Sequence, residues 1–268
     1  MRPRLMGVVN VTPDSFSDGG RFLAVDAAVA HGLALIAEGA DLLDIGGEST
    51  RPGAVEVSAD EEMARVVPVI TAFRAATDRP ISIDTRKAVV AEAAIRAGAT
   101  IWNDVTALSG DPHALGTAAR LGIPVILMHM QGQPQTMQAN PHYDDVVAEV
   151  CAYLGEHAQL AMAAGIAREA ISLDPGIGFG KTLDHNLALL SHLDALVELG
   201  FPVVLGVSRK RFIQGLHPSA TDAQDRLGGS IAAALAGART GVDILRVHDV
   251  AQTAQALAVW QAIEGRRA

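Results

Sequence analysis

Short apolar runs alternate with longer segments of helical periodicity along the whole chain. The short runs are rich in Val, Ile and Leu, contain few polar residues, and are bounded by Gly, Pro, Asp or Asn. This pattern is typical of strands that are buried on both faces of a parallel sheet. It predicts eight strands, at Leu5–Asn10, Asp41–Gly46, Pro80–Asp84, Ala99–Asn103, Ile123–His129, Ala170–Asp174, Phe201–Gly206 and Asp243–His248.

The segments between these strands are predicted to be helices. In Ala24–Glu38 the apolar residues recur near helical spacing, which indicates one face packed on a core. Another helix is predicted from Ser58, which matches a capping box with Glu61, and Pro68 predicts a kink or a restart within it. Glycine stands where several helices should end before a strand, at Gly39, Gly98, Gly122, Gly165, Gly200 and Gly241.

Eight strand–helix units in succession, with no linker and no shift in composition, favour one domain over two. The length of 268 residues suits a single (β/α)8 barrel, which typically has about 250 residues. We therefore predict an α/β fold, with one TIM-barrel domain over residues 1–268. In such barrels the active site lies at the C-terminal ends of the strands.

Composition and charge exclude several classes of protein. Hydrophobic residues make up 49% of the chain, which is too many for a disordered protein. The net charge of −9 argues against a nucleic-acid partner, and the single cysteine excludes a disulfide framework. No apolar run approaches the roughly 20 residues of a membrane helix, and the N-terminal apolar stretch is too short for a secretory signal. We expect a cytoplasmic protein with no membrane association.

Polar residues stand at or near the end of every predicted strand. One or two would be ordinary loop chemistry, whereas polar groups at all eight strands indicate a ring of substrate contacts around one active-site mouth. These residues are Asn10, Asp44, Glu48, Asp84, Asn103, Asp104, His129, Asp174, Ser208, Arg209, Lys210, Arg246 and His248.

The glycine-rich segment Gly176–Thr182 resembles two nucleotide-binding motifs but matches neither. A Walker A loop needs glycine where the chain has Pro175, and a dinucleotide-binding motif needs glycine where it has Lys181. These glycines suit a tight turn or the close approach of a flat ligand. The sequence also lacks an HExxH pair of zinc ligands. A hard cation held mainly by substrate phosphates is compatible with it.

Seven segments of the chain carry a further pattern. They are Val8–Gly20, Asp44–Gly53, Ser82–Thr85, Ile101–Asp104, Leu173–Lys181, Ser208–Lys210 and Arg246–Asp249. In this order, and each at a strand end, they resemble the motifs of the dihydropteroate synthase family, and the resemblance covers the chain from about Leu5 to Ile263. It implies condensation of 6-hydroxymethyl-7,8-dihydropterin diphosphate with 4-aminobenzoate to 7,8-dihydropteroate and pyrophosphate, in folate synthesis, with Mg²⁺ as cofactor.

The resemblance and the chemistry of a pterin together assign the residues that hold the pterin. Asp174 can accept two N–H bonds from the aminopyrimidinone edge, and Asn103 can donate to and accept from the neighbouring ring nitrogens. Asp84 is expected to accept another ring N–H and to stabilise positive charge that develops on the pterin. Lys210 would donate to the pterin, and Arg246 would pack its planar guanidinium on the ring face.

A second group of residues is expected to bind the leaving diphosphate. Asn10 would offer its side-chain oxygen to Mg²⁺ on the diphosphate. Arg246 and His248, which form a local cationic group with Lys210, would bind diphosphate oxygens. The family resemblance implies a dissociative reaction, in which pyrophosphate leaves before the arylamine attacks. The predicted catalytic residues are Asp84, Lys210, Arg246 and His248.

The second substrate is expected near Phe179 and the helix start after Ser208, with its carboxylate close to backbone N–H groups. Four more residues complete the predicted substrate site, namely Thr50, Arg51, Met128 and Gly206. The polar segments Thr12–Arg21 and Ser49–Val55 are suited to close over the reacting cation.

Two other functions stay open at this point. A pterin-dependent methyltransferase would share Asp84, Asn103 and Asp174, but it would have no use for diphosphate-binding motifs. A non-catalytic pterin-binding paralogue would be favoured by the loss of a motif residue, and none is lost. The resemblance also implies a homodimer through late helices. The Ala-rich segment Ser230–Ala238 is the candidate, although a helix that packs on its own barrel would look the same.

Overall fold

The structure, a computed structural model, describes residues 2–12, 20–49, 54–133 and 135–266. Its strands are β1 (Arg4–Asn10), β2 (Leu42–Gly46), β3 (Ile81–Asp84), β4 (Ile101–Asp104), β5 (Val125–Met128), β6 (Ile171–Asp174), β7 (Val204–Leu205) and β8 (Ile244–Val247). They are parallel and follow the order β6-β5-β4-β3-β2-β1-β8-β7. A parallel bridge between Leu173 and Val203 closes the ring between β6 and β7. The predicted TIM barrel is confirmed.

Helices connect the strands and cover the outside of the ring. They are α1 (Gly20–Ala37), α2 (Ala59–Ala76), α3 (Ala88–Ala97), α4 (Ala114–Leu121), α5 (Val146–Ala163), α6 (Leu183–Ser191), α7 (Leu193–Val197), α8 (Arg211–Leu216), α9 (Leu227–Thr240) and α10 (Val250–Glu264). The six predicted helix-ending glycines all have positive φ, from +62° at Gly122 to +116° at Gly98. Within the described ranges, no helix has both the length and the apolar character needed to cross a bilayer.

Helix α2 continues through Pro68, so the predicted restart does not occur, while the alternative of a kink at this residue stays a prediction. Its buried apolar face packs on the barrel, and this burial outweighs the single backbone hydrogen bond that a proline removes. The capping box is half formed. The Ser58 hydroxyl accepts from the backbone N–H of Glu61 at 3.2 Å, whereas the Glu61 side chain pairs with Arg65.

The strands agree with the predicted bounds to within two residues at each end, with β7 as the exception. It has two residues instead of the six predicted from Phe201–Gly206. Pro202 has no N–H to give to a ladder, and the N–H of Val203 donates to the side chain of Asp243 at 2.8 Å. The ladder is therefore incomplete before β7, where Val203 forms only an isolated bridge to Leu173.

Two apolar cores follow from the alternation of side chains along the strands. The inside of the barrel is filled by Met6, Leu42, Ile126, Val204 and Ile244. A larger core, which contains Trp102 and Phe73, lies between the strands and the helices. Because strand side chains alternate with a period of two, Asp44 and Arg246 point into the barrel as Leu42 and Ile244 do. They lie one layer nearer the C-terminal ends of the strands.

Candidate active site

Four strand-end residues lie side by side because their strands are in register. Asn10 on β1 is the Cα partner of Gly46 on β2, which in turn is the partner of Asp84 on β3. Asn103 on β4 is also the partner of Asp84. The structure thus brings three predicted site residues into one row at the mouth of the barrel, with a glycine between the first two.

Arg246 on β8 reaches across the mouth and pairs with two carboxylates. Its Nε lies 2.6 Å from Oδ2 of Asp44, and its Nη2 lies 2.9 Å from Oδ2 of Asp84. The same Oδ2 of Asp44 accepts from Nδ2 of Asn103 at 3.2 Å. These charge-assisted bonds let one guanidinium fix the carboxylates of β2 and β3 and, through Asp44, the amide on β4.

Burial alters the pKa of Asp84 in this cluster. Loss of hydration raises the pKa of Asp84 to about 7; Arg246 opposes the shift, and the carboxylates of Asp44, Glu62 and Asp104 add to it. The Oδ1 atoms of Asp44 and Asp84 are buried and have no hydrogen-bond partner among the described residues. Because buried polar atoms are normally paired, the mouth has acceptor capacity that suits a ligand.

A pocket opens beside this cluster and contains about 330 Å³ of empty space, part of it open to solvent. It is lined by Asp84, Asn103, Val105, Met128, Asp174, Gly176, Ile177, Phe179, Gly206, Lys210 and Arg246. All but Val105, Gly176 and Ile177 belong to the predicted substrate site. The two aliphatic residues were missed because an apolar residue beside a site has the same sequence pattern as ordinary core.

Asp174 presents one carboxylate oxygen to the pocket, since the backbone holds the other. Oδ1 accepts from the N–H of Gly176 at 2.7 Å. Oδ2 faces Gly206, where an added Cβ would lie 3.9 Å from it and 3.9 Å from Cδ of Arg246. Burial raises the pKa of Asp174, although the Gly176 bond and the positive charge of Lys210 oppose the shift. Gly206 therefore leaves a gap between the carboxylate of Asp174 and the side chain of Arg246.

The turn after Asp174 depends on Gly176 having no side chain. Gly176 has φ +66°, and an added Cβ would lie 1.9 Å from the carbonyl oxygen of His129. Gly165 also has a positive φ, +103°, but nothing lies within 4 Å of its Cβ position. The two glycines therefore separate the effect of backbone strain from that of a steric clash.

We expect Gly176→Ala to destabilise the protein by about 3 kcal/mol or more, because it adds overpacking to left-handed strain. Gly165→Ala, the matched control, should cost only the strain, about 1–2 kcal/mol. Urea unfolding of both variants measures the difference. Equal losses in the two variants would show that the turn relaxes around the added methyl group.

Lys210 packs against Phe179 on the opposite side of the pocket. Its Nζ lies 4.1 Å from the centre of the Phe179 ring, which is a cation–π contact. Burial lowers the pKa of Lys210 to about 8, and repulsion from Arg246 contributes. An anionic ligand would offset both effects, so the pocket favours a negative charge at this end.

Ser208 and His248 form a pair beside the pocket. The backbone N–H of His248 donates to the Ser208 Oγ at 3.2 Å, and Nδ1 lies 3.1 Å from the same oxygen. Burial, together with the charges of Arg246 and Arg209, lowers the pKa of His248 to about 3. This lowered pKa favours a neutral imidazole in the free site, so the positive charge of the predicted cationic group would come from Lys210 and Arg246.

Behind the pocket, Lys181 is buried against His129. Its Nζ lies 2.8 Å from Nδ1 of His129 and donates to the carbonyl of Phe179 at 3.1 Å. Burial lowers the pKa of Lys181 to about 7 and that of His129 to about 3. A neutral imidazole can accept from Nζ of Lys181, and the pair ties the end of β5 to the turn after β6. The sequence prediction assigned no role to Lys181.

Asn10 lies at the end of β1, and two other predicted substrate residues lie outside the described ranges. Oδ1 of Asn10 and Oδ2 of Asp84 lie 3.9 Å and 3.8 Å from the point that a Cβ of Gly46 would occupy. Thr50 and Arg51 lie outside the described residues, as do parts of the two segments predicted to close the site. In the described part of the chain, no three His, Cys, Asp or Glu residues are grouped to hold a metal ion.

Comparison with known proteins assigns this barrel to a family. The profile of the pterin binding enzymes matches residues 6–248. A dihydropteroate synthase of Haemophilus influenzae is 48% identical over 97% of this chain and 94% of its own. The solved structure of Xanthomonas albilineans dihydropteroate synthase with 4-aminobenzoic acid has a TM-score of 0.92 and 55% identity over 98% of this chain and 93% of that one.

A second structure from Xanthomonas albilineans, in complex with 7,8-dihydropteroate, has a TM-score of 0.89 and 52% identity, and covers 98% of this chain and 94% of that one. Similarity of this extent involves the whole barrel and not a shared pterin motif alone. It decides between the synthase and the methyltransferase that the motifs left open. The chain belongs to the pterin binding enzymes and, among them, to the dihydropteroate synthase family.

Proposed function

We propose a role for each side chain of the pocket in the reaction of a dihydropteroate synthase. This reaction joins 6-hydroxymethyl-7,8-dihydropterin diphosphate to 4-aminobenzoate and releases 7,8-dihydropteroate and pyrophosphate. One observation carries the proposal. A buried carboxylate at the end of β6, Asp174, and a partly buried ammonium after β7, Lys210, line the same pocket. The first suits the N–H groups of a pterin, and the second suits its carbonyl oxygen and an anionic leaving group.

Asp174 and Asn103 are proposed to hold the pterin ring. Asp174 keeps Oδ1 on Gly176 and offers Oδ2 to the ring N–H groups. Asn103 donates to Asp44 through Nδ2, and a carboxylate can only accept. Asp44 therefore fixes which way the amide of Asn103 faces. Asp44 lies below the pocket, so it would influence pterin binding without contacting the pterin.

Asp84 is proposed to balance the positive charge that appears on the pterin when pyrophosphate leaves. Its pKa of about 7 means that a nearby positive charge would draw it fully into the ionised form. Arg246 holds it in place through Nη2. Because Nε and Nη2 of Arg246 are already engaged by carboxylates, its contact with substrate would use the ring face or Nη1.

Lys210 and His248 are proposed to hold the diphosphate. The Ser208 hydroxyl accepts from the backbone N–H of His248 and can donate to its Nδ1, which would leave the imidazole proton on Nε2. A neutral His248 would then donate one hydrogen bond to a phosphate oxygen. The net positive charge at this end would come from Lys210 and Arg246.

The oxygens at the ends of β1 and β3 fit a hard cation that the substrate itself holds for the most part. Asn10 contributes an amide oxygen, and Asp84 has a buried oxygen without a partner in the described structure. Mg²⁺ prefers such oxygen ligands together with phosphates and water. When bound, it would neutralise charge on the departing pyrophosphate. Asn10 is the residue that we propose to contact it.

We expect pyrophosphate release to stop in the presence of a chelator and to return when Mg²⁺ is added back. Asn10→Ala should raise the Mg²⁺ concentration for half-maximal rate by roughly 10-fold, because one of few protein ligands is lost. Titration of Mg²⁺ at saturating substrates measures this. Full activity in chelator, or an unchanged midpoint in Asn10→Ala, would contradict the role of Asn10.

4-Aminobenzoate is proposed to lie against Phe179, with its carboxylate towards the segment after Ser208. The Phe179 ring already has Lys210 Nζ against it, so a second ring beside it would meet both an apolar surface and a positive charge. Attack by the amine nitrogen on a pterin cation needs little general-base chemistry. Contacts from Thr50 and Arg51 stay a prediction, since both lie outside the described residues.

The homodimer is also proposed. On α10, beside α9, Val259 and Ile263 are 57% and 50% exposed, and they lie one helical turn apart. In the Ala-rich segment Ser230–Ala238, the side of Ala234 and Ala238 is buried on its own barrel, so the outer side is what could meet a second copy. Sedimentation of the purified chain tests this. The cytoplasmic location stays a prediction.

A further inference from the structure

Arg209 has a backbone conformation that residues other than glycine rarely adopt. Its φ is +59°, and among the described residues only Ala107 and Leu108 share a positive φ without being glycine. Left-handed backbone at a residue with a Cβ is strained, and it persists where surrounding contacts hold it. Arg209 stands between Ser208 and Lys210, two residues of the proposed substrate site.

The contacts that hold Arg209 come from three other segments. Its Nε and Nη2 lie 3.0 Å and 2.6 Å from the two carboxylate oxygens of Asp249, in the bidentate geometry that suits a guanidinium. Its N–H donates to the Ser230 Oγ at 2.8 Å. Its carbonyl accepts from Nη1 of Arg226 at 3.1 Å. The backbone N–H and carbonyl and two guanidinium nitrogens are therefore all engaged.

These contacts join the loop after β7 to the loop after β8. Asp249 follows His248 directly, and Arg209 lies directly between Ser208 and Lys210. A turn at a left-handed residue reverses the direction of the chain locally. Here it places the Ser208 Oγ within reach of His248 on one side and Lys210 against Phe179 on the other.

We propose that Arg209 and Asp249 form a clamp that positions Ser208, Lys210 and His248 for the diphosphate end of the substrate. Both are positioning residues, because each side chain is occupied by the other and acts through its neighbours in the chain. The clamp rests on the proposal that the diphosphate binds between the loops after β7 and β8. Both side chains keep some contact with solvent, at 29% and 16% exposure, and ion pairs that are not fully buried contribute little to stability, so the effect of this pair should appear in substrate binding.

Arg209→Gly and Asp249→Ala test the clamp from its two sides. Glycine accepts the left-handed conformation without strain, so Arg209→Gly removes the guanidinium and spares the turn. Each variant should raise KM for the pterin diphosphate roughly 10-fold, and the double variant should be no worse than either single one. Affinity for the same pterin without its diphosphate should fall by much less, because Lys210 is the only one of the three positioned residues that is proposed to contact the pterin itself. Arg209→Lys, which keeps a charge, should give an intermediate KM.

Three results would overturn the clamp. They are an unchanged KM in Arg209→Gly, effects that multiply in the double variant, and an equal loss of affinity for the pterin without diphosphate. His248→Ala separates this failure from that of the proposed function. If His248→Ala raises KM for the pterin diphosphate and Arg209→Gly does not, the clamp alone is wrong. If neither changes KM, the diphosphate binds elsewhere and both proposals fall.

Discussion

Asp174→Asn should weaken pterin binding by about 100-fold or more and leave the barrel folded. The asparagine oxygen can still accept from the N–H of Gly176, so the turn after β6 keeps its anchor. The new NH2 group then points donors at the N–H groups of the pterin. Two hydrogen bonds to a charged group are lost, each contributing about 1.5–3 kcal/mol.

Calorimetry with the pterin that lacks the diphosphate measures this loss without any contribution from the phosphate side. Asp184→Asn is the matched control, since it makes the same change at an exposed position in the first turn of α6 and should leave affinity as it is. Thermal unfolding of both variants checks the fold. Wild-type affinity in Asp174→Asn would remove this residue from the proposed pterin contacts.

Arg246→Met should destabilise the protein by about 3–5 kcal/mol near pH 8, because it leaves buried carboxylates without their cation. Asp44 and Asp84 lose their 2.6 Å and 2.9 Å partners in one step. Turnover should fall by roughly three orders of magnitude, since the counter-charge and the anion contact at the mouth are lost together. Urea unfolding and pyrophosphate release measure the two effects.

The stability loss in Arg246→Met should depend on pH. Arg246 lowers the pKa of Asp84, so its removal raises a pKa that is already about 7. Between the unfolded pKa near 4 and this raised value, the folded state binds a proton that the unfolded chain does not. This contribution stabilises the folded state on the acid side and is lost as pH rises through the raised pKa. The loss of stability in Arg246→Met, relative to the unsubstituted protein, should therefore be smaller at pH 6 than at pH 8.5.

Two further variants complete this experiment. Arg239→Met removes an exposed arginine in the last turn of α9 and should change stability by less than about 0.5 kcal/mol. Arg246→Lys keeps a charge but loses the bidentate reach, so it should restore more stability than activity. A deficit in Arg246→Met that is equal at the two pH values would show that Asp84 does not titrate with it.

Strand-end chemistry was readable from the sequence because two simple periodicities control it. The C-terminal ends of parallel strands meet at one mouth of the barrel, and side chains along a strand point alternately to its two faces. Recognition of the eight strands was therefore enough to predict that Asp84, Asn103 and Asp174 lie near one another. The motif resemblance added their roles. Both kinds of inference use short stretches of sequence. The barrel then brings the residues of those stretches together in space.

Other features depend on contacts between distant segments and could not be read in this way. The lowered pKa of His248 results from burial and from the charges of Arg246 and Arg209. The continuity of α2 through Pro68 results from packing on the barrel. Arg209, at a left-handed turn, pairs with Asp249, which lies 40 positions away. Sequence shows a charged residue in each motif, but not which of them face each other.

The closure of the barrel between β6 and β7 has a consequence for motion. This seam consists of a bridge at Leu173–Val203 and a strand of two residues, so it has fewer ladder hydrogen bonds than its neighbours. Local opening occurs where such bonds are few. Asp174 lies on one side of the seam and Lys210 on the other. A pterin that contacts both residues would bridge the two sides of the seam and oppose its opening. Backbone amides along the seam would then exchange their hydrogens with solvent more slowly when the pterin is bound.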